Sequence, residues 1–149
     1  MSTYIETVEK KLSDLLQKTY DAEKGFKEAA ENVKSQSLKS YFQLKAKERY
    51  DFGFQLKNEL ASYGKDIEKS GSFTGAAHRT WMDIKSLFSS NDEEAMLEEA
   101  IRGEKASLEE YKEVLKEFTL PESTTSILKS QKDRIQMGLD TIKTMENLH

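Results

Sequence analysis

Apolar residues recur at alternating steps of three and four along most of the chain, the period of a helix face that is buried in a bundle. The first run passes through Ile5, Val8, Leu12, Leu15, Thr19, Ala22, Phe26, Ala29 and Val33. The second passes through Leu38, Phe42, Lys45, Arg49, Phe52, Leu56, Leu60 and Tyr63. These runs predict two long helices at about residues 3–34 and 37–63, and Gly64 supplies a stop for the second.

The same period returns twice in the C-terminal half. The third run passes through Leu97, Ile101, Glu104, Leu108, Tyr111, Leu115 and Phe118. The fourth passes through Leu128, Gln131, Ile135, Gly138, Ile142 and Met145. Acidic residues at 92–94 favour a helix start, and Pro121 suits a first helical turn. These features predict helices at about residues 91–118 and 121–147.

The long connection between the second and third helices contains the sequence GSFTGAAHRTWMDIKSLF. One helical face of this stretch carries Ala77, Trp81, Ile84 and Phe88, which predicts a short amphipathic helix at about residues 74–88. Trp81 is its expected anchor on the bundle, and His78 is interpreted as structural. The whole chain, residues 1–149, is therefore predicted to be one all-α domain, an antiparallel four-helix bundle with ferritin-like connectivity.

Composition and charge narrow the classes of partner. The net charge of −4 comes from 23 basic and 27 acidic residues that are mixed along every segment. Because no basic stripe forms, we expect no nucleic-acid partner. The chain has no cysteine, which excludes disulfides and thiolate metal sites. It also has no long apolar run and no secretory signal, so we expect no membrane partner and a cytoplasmic location.

Acidic residues near the middle of the predicted helices are the candidate functional residues. Glu104 takes a seam position where an aliphatic residue is expected, and a buried carboxylate is costly unless it is paired or binds a metal. In di-iron bundles, two helices each give a Glu and two give Glu-x-x-His. When this pattern is aligned with the chain, the corresponding residues are Glu23 in the first helix, Glu48 and Asp51 in the second, Glu104 in the third, and Gln131 and Arg134 in the fourth.

Two interpretations of these residues remain open. Both expected histidines are missing, Gln131 is a weak oxygen donor, and Arg134 cannot be a metal ligand. In the first interpretation, Gln131 and Arg134 belong to a midline polar network in which a guanidinium neutralises Glu104, and the protein has no catalytic residue. In the second, iron or manganese is bound by Glu23, Glu48, Asp51 and Glu104 for storage or oxidation chemistry.

Four segments carry a resemblance to one family: YDAEKGFKEAAENV, KERYDFGFQLKNEL, GSFTGAAHRTWMDIK and NDEEAMLEEAIRGEKASLEEY. They are similar to a bacterial ferritin-like four-helix-bundle family that is labelled domain of unknown function 2383. The resemblance covers nearly the whole chain and is weakest in the fourth helix. It implies a bacterial origin and a distant relation to rubrerythrin-like and ferritin-like proteins, some of which bind iron, handle peroxide or store metal.

The functional expectation is a non-enzymatic, stress-associated helical protein that acts through a surface or through self-association. Because the fourth helix departs from the di-iron pattern, this reading is favoured over an enzyme. Bundles of this type often pair through a helix face, so a homodimer is one expected assembly. The sequence alone does not identify a self-complementary patch for that pairing.

Overall fold

The computed structural model of the protein describes residues 2–64, 93–117 and 119–148, which form four helices and no strand. These are α1 (Ser2–Asn32), α2 (Gln36–Ser62), α3 (Glu93–Glu117) and α4 (Glu122–Leu148). The predicted all-α four-helix bundle is confirmed. The short helix expected at about residues 74–88, with His78 and Trp81, lies outside the described residues.

Local chemistry explains where the helices begin and end. The Ser35 hydroxyl accepts a hydrogen bond from the Leu38 backbone N–H at 3.4 Å and caps α2. Gly64 follows α2 with a φ of +90°, a conformation that glycine adopts without strain, and its N–H donates to the Ala61 carbonyl at 2.9 Å. The Pro121 carbonyl accepts from the Thr125 N–H at the start of α4. The predicted stop at Gly64 is therefore present.

Each helix packs on two neighbours and faces the remaining helix across the bundle. α1 and α4 each contact both α2 and α3, so α2 and α3 lie on one diagonal. The Tyr41 hydroxyl donates to the Gly138 carbonyl at 3.1 Å, and the Gln131 side-chain amide donates to the Phe52 carbonyl at 3.3 Å. Residue numbers rise along α2 as they fall along α4, so these two helices are antiparallel.

Contacts at the two ends of the bundle fix the connectivity. At one end, Oε2 of Glu93 accepts hydrogen bonds from the backbone N–H groups of Lys34 at 2.7 Å and Ser35 at 3.0 Å. At the other end, the hydroxyls of Tyr63 and Thr124 lie 2.5 Å apart. The end of α2 and the start of α3 are therefore at opposite ends of the bundle, as expected for a long connection between the second and third helices.

The apolar faces of the four helices meet in one core. Its largest fully buried side chains include Phe26, Phe42, Phe52 and Met96, and the rings of Phe26 and Phe42 stack with centroids 6.2 Å apart. Burying this apolar surface is the main stabilising contribution to the bundle. None of the helices in the described part of the chain is both long and apolar enough to cross a membrane.

Candidate functional site

Glu104 lies in the interior of the bundle and carries no exposed surface. It occupies the centre of the apolar face of α3, between Ile101 and Leu108, which are also buried. One of its carboxylate oxygens, Oε1, accepts a hydrogen bond from Nη2 of Arg49 on α2. The other, Oε2, lies 3.5 Å from Nζ of Lys45, one helical turn earlier on α2. A buried anion is thus matched by two buried cations from the helix diagonally opposite.

Glu48 completes the charge balance around these cations. Its Oε1 accepts from Nζ of Lys45 and lies 3.4 Å from Nη1 of Arg49. Lys45, Glu48, Arg49 and Glu104, which we name the midline ion cluster, therefore contain two positive and two negative charges in alternating contact. Balanced pairing of this kind offsets the desolvation cost that isolated buried charges would carry.

Arg49 is held by aromatic rings as well as by carboxylates. Its guanidinium carbon lies 5.5 Å from the ring centroids of both Phe26 and Phe52, within the range of a cation–π contact. Burial lowers the pKa of Arg49, but the Glu104 carboxylate, through its charge and its hydrogen bond, together with Tyr111 and Glu48 raises it by more, so the pKa stands above its usual value. The guanidinium is consequently a permanent cation at the bundle midline.

A glycine on α4 makes room for the second cation. A Cβ atom at Gly138 would overlap Nζ of Lys45 and would lie 3.1 Å from its Cε. The Gly138 carbonyl accepts from the Tyr41 hydroxyl, which draws α4 towards α2 at this level. Burial, reinforced by the charge of Glu104, raises the pKa of Tyr41, so this phenol stays a donor. Close approach of α4 thus covers the ammonium of Lys45.

Gln131 forms a second, uncharged polar layer. Its Oε1 accepts from the Tyr111 hydroxyl at 2.7 Å, and its Nε2 donates to the Phe52 carbonyl and, at 2.9 Å, to Oε1 of Gln55. Burial raises the pKa of Tyr111 to about 12, so its hydroxyl is a stable donor at neutral pH. This layer ties α3, α4 and α2 together through neutral hydrogen bonds.

The other residues singled out from the sequence lie on the walls of two grooves. Glu23 is buried, lies 3.0 Å from Nζ of Lys27, and lines a groove of about 400 Å³ between α1 and α2. Asp51 and Arg134 are exposed and line a groove of about 680 Å³ between α2 and α4. Glu48 also lines this second groove. Of the predicted residues, the structure brings together Glu48 and Glu104, which share Lys45 and Arg49.

The chemistry of these donors does not suit iron or manganese. Such a centre needs several carboxylate or imidazole groups that converge on one point. Among residues 2–64, 93–117 and 119–148, no group of three or more Asp, Glu or His side chains could hold a metal ion. The oxygens of Glu48 and Glu104 instead contact Lys45 and Arg49, whose positive charges would repel a metal at this distance.

Lys45 and Arg49 are partners of Glu104 that the sequence interpretation did not identify. Both stand on the apolar face of the second helix, where a charged residue is as unusual as Glu104 is on the third. The sequence therefore contained an indication of this pairing, namely two cations and one anion at positions that are predicted to face inward. The spacing along a single helix, however, does not reveal which residue lies opposite on another helix.

Comparison with known proteins identifies a family model that covers most of the chain. The model of the family described as "Domain of unknown function (DUF2383)" matches residues 7–117. This range includes most of α1 and all of α2 and α3, and therefore all four members of the midline ion cluster. The search of curated proteins finds no match. The family description names no ligand or reaction, so the functional argument depends on the geometry of the site.

Proposed function

The chain belongs to the DUF2383 family, and we propose that it is a non-enzymatic helical protein that acts through its outer surface. In this proposal, the midline ion cluster is a structural element that fixes how the four helices pack. The observation that carries the proposal is the contact of the buried Glu104 carboxylate with both Arg49 and Lys45. Two protein cations stand where a carboxylate-bridged centre would require metal ions.

A structural role suits the geometry of the cluster. Arg49 connects α2 to α3 across the diagonal of the bundle, where the two helix backbones make no direct contact among the described residues. Breaking one member of a buried pair costs several kcal/mol, because it leaves the other charge uncompensated. A shift of α2 relative to α3 would separate the charges in this way. The cluster therefore favours a single helix register.

Iron or manganese binding by Glu23, Glu48, Asp51 and Glu104 is the competing function. It would require Lys45 and Arg49 to leave the bundle interior, and it would require Glu23 to leave the α1–α2 groove. The aromatic contacts of Arg49 with Phe26 and Phe52 oppose the first movement. The charge arrangement thus supports the structural role over the metal role.

Metal analysis of the purified protein tests the proposal. Protein prepared without chelators is expected to contain less than stoichiometric iron and manganese by elemental mass spectrometry. Aerobic titration with ferrous ion is expected to produce neither oxygen uptake nor a new absorbance band. A wild-type protein that binds one or two metal ions per chain, with binding lost in Glu104→Gln, would overturn it. The exposed Glu98→Gln on the same helix is the matched control.

A further inference from the structure

The outer face of α2 exposes more large apolar surface than any other described helix. Among the described residues, five large apolar side chains are exposed, and three of them lie on α2: Leu44, Tyr50 and Phe54. Leu44 is 67% exposed and Phe54 is 60% exposed, although both stand on the helix that also carries the buried cations. Single exposed apolar residues are ordinary, but a cluster on one helix face indicates a contact surface.

The exposed face follows a coiled-coil spacing. Steps of four and three lead along one stripe of the helix, and every residue on it is exposed: Ser40, Leu44, Lys47, Asp51, Phe54 and Asn58. These six residues, which we name the α2 stripe, lie on the side opposite the inward-facing Arg49. Positions a and d of a heptad repeat have this spacing and form the seam between two paired helices.

The α2 stripe is self-complementary when it is read in both directions from position 49. Ser40 and Asn58 are nine positions away on either side, and both are polar. Leu44 and Phe54 are five positions away, and both are apolar. Lys47 and Asp51 are two positions away, and their charges are opposite. An antiparallel pair of α2 helices related by a two-fold axis at this position would match all three kinds of residue.

The surroundings of the α2 stripe suit such a contact. Grooves of about 400 Å³ and 680 Å³ flank α2, and Lys47 lines both of them, so the helix stands out as a ridge. Met137 of α4, which is 68% exposed, lines the second groove beside Leu44. Glu48, whose copies would come close to each other near the axis, is held inward by Lys45 and Arg49.

We propose that the protein forms a homodimer in which the α2 stripes of two copies pack antiparallel about a two-fold axis at position 49. Lys47 faces Asp51 of the partner subunit, and Leu44 faces Phe54 of the partner subunit. A parallel pairing in the same register would place each Lys47 against its own copy and each Asp51 against its own copy, which repulsion disfavours. The charges thus select the antiparallel orientation.

The α2 dimer rests on the proposed function, because the α2 stripe is the outer surface through which the protein would act. The dimer and the structural role of the midline ion cluster are nevertheless tested by different measurements. Metal binding tests the midline ion cluster, whereas oligomeric state tests the α2 stripe. By sedimentation equilibrium, the wild-type chain is expected to dimerise. Lys47→Glu is expected to weaken association at least about tenfold, because both charge pairs become repulsive. The double variant Lys47→Glu with Asp51→Lys is expected to restore the dimer.

Lys105→Glu on α3 is the matched control, since Lys105 is exposed and α3 lies diagonally opposite α2. It makes the same change of charge and is expected to leave the dimer intact. A wild-type chain that stays monomeric at every accessible concentration would overturn the proposal. A Lys47→Glu variant that dimerises as tightly as the wild type would also overturn it. Circular dichroism checks that each variant remains helical.

Cross-linking then tests the orientation, because the chain has no cysteine of its own. A Ser40→Cys chain mixed with an Asn58→Cys chain is expected to give a disulfide-linked heterodimer under mild oxidation. Neither chain alone is expected to cross-link, since the two copies of position 40 would be about 27 Å apart along the helices. Efficient self-linking of Ser40→Cys would show a parallel dimer and would overturn the proposed orientation.

Discussion

Arg49 and Glu104 form a hydrogen-bonded ion pair across the diagonal of the bundle, with at most 2% of either side chain exposed. Their two helices, α2 and α3, have no backbone contact with each other among the described residues, so this pair is a direct link between them. Because α1 and α4 each pack on both of these helices, the pair sits where all four elements meet. Its disruption should therefore affect the whole fold and not one helix alone.

Glu104→Gln is expected to lower the free energy of unfolding by about 3–5 kcal/mol, because among the described residues it leaves Arg49 and Lys45 with the partly exposed Glu48 as their remaining counter-ion. The amide keeps the volume of the carboxylate, so packing is conserved. Glu98→Gln removes an exposed charge from the same helix and is expected to change stability by less than about 0.5 kcal/mol. Urea denaturation measures both changes. Equal effects of the two substitutions would contradict the structural role of the pair.

Combining Glu104→Leu with Arg49→Met should cost far less than the sum of the single substitutions, since the pair is replaced by apolar groups and no uncompensated charge is created. A double-mutant cycle measures the coupling energy, which is expected to reach about 2–3 kcal/mol for residues in direct contact. A coupling energy near zero would show that the two side chains act independently.

Gly138→Ala tests the space that α4 leaves for Lys45. Alanine gains about 1 kcal/mol over glycine inside a helix, but here the added Cβ would overlap the Lys45 ammonium. Gly138→Ala is therefore expected not to raise the stability of the wild-type chain. In a chain that already carries Lys45→Ala, the same substitution is expected to be stabilising. Thermal denaturation of the four chains in this cycle gives the comparison. The same stabilisation in both backgrounds would show that Lys45 does not occupy this space.

The sequence pattern predicted the four helices well, because burial of one apolar face repeats every three to four residues and leaves a clear signal. It also placed Lys45, Arg49 and Glu104 on inward faces. It could not show that Arg49 is the guanidinium beside Glu104, because that contact depends on the relative height and rotation of α2 and α3. Arg134, the candidate chosen from spacing within the fourth helix, is exposed on the α2–α4 groove.

For the α2 stripe, too, the sequence pattern indicates only part of what the structure shows. Its spacing of three and four is present in the sequence, but α2 carries a second, apolar face with the same period. The sequence pattern placed Phe52 and Leu56 on the buried face, and the structure buries both of them. The pattern did not single out Leu44 and Phe54, which the structure shows to be exposed. The stripe mixes polar, charged and apolar residues, so its spacing alone does not distinguish it from an ordinary solvated helix face.

Stability should fall at alkaline pH because Tyr111 is buried. Burial raises its pKa to about 12, whereas a tyrosine in the unfolded chain ionises near 10. The contribution of Tyr111 is fully present below pH 10 and is lost as the pH rises through about 12, with a loss of about 2–3 kcal/mol. Tyr41, whose pKa is raised by burial and by Glu104, acts in the same direction. Urea denaturation at a series of pH values measures the change.

Tyr111→Phe should flatten this part of the pH profile, because it removes one of the buried phenols. At neutral pH the same variant should cost about 1–2 kcal/mol, since Oε1 of Gln131 loses its donor. A Tyr111→Phe profile that still matches the wild type between pH 10 and 12 would show that Tyr111 is not the source of the loss.

Glu93 should contribute more to stability than Glu94, although both lie in the first turn of α3, where a negative charge interacts favourably with the helix dipole. Oε2 of Glu93 also accepts from the backbone N–H groups of Lys34 and Ser35, so it fastens the α1–α2 turn to α3. Hydrogen bonds to a charged group are worth about 1.5–3 kcal/mol, and the exposed site reduces that value. We expect Glu93→Ala to cost about 1–2 kcal/mol more than Glu94→Ala in urea denaturation.

The amides of Lys34 and Ser35 should also exchange hydrogen faster in Glu93→Ala alone, because only that substitution removes their acceptor. Equal losses, with unchanged exchange at both amides, would mean that the dipole accounts for the whole effect of Glu93.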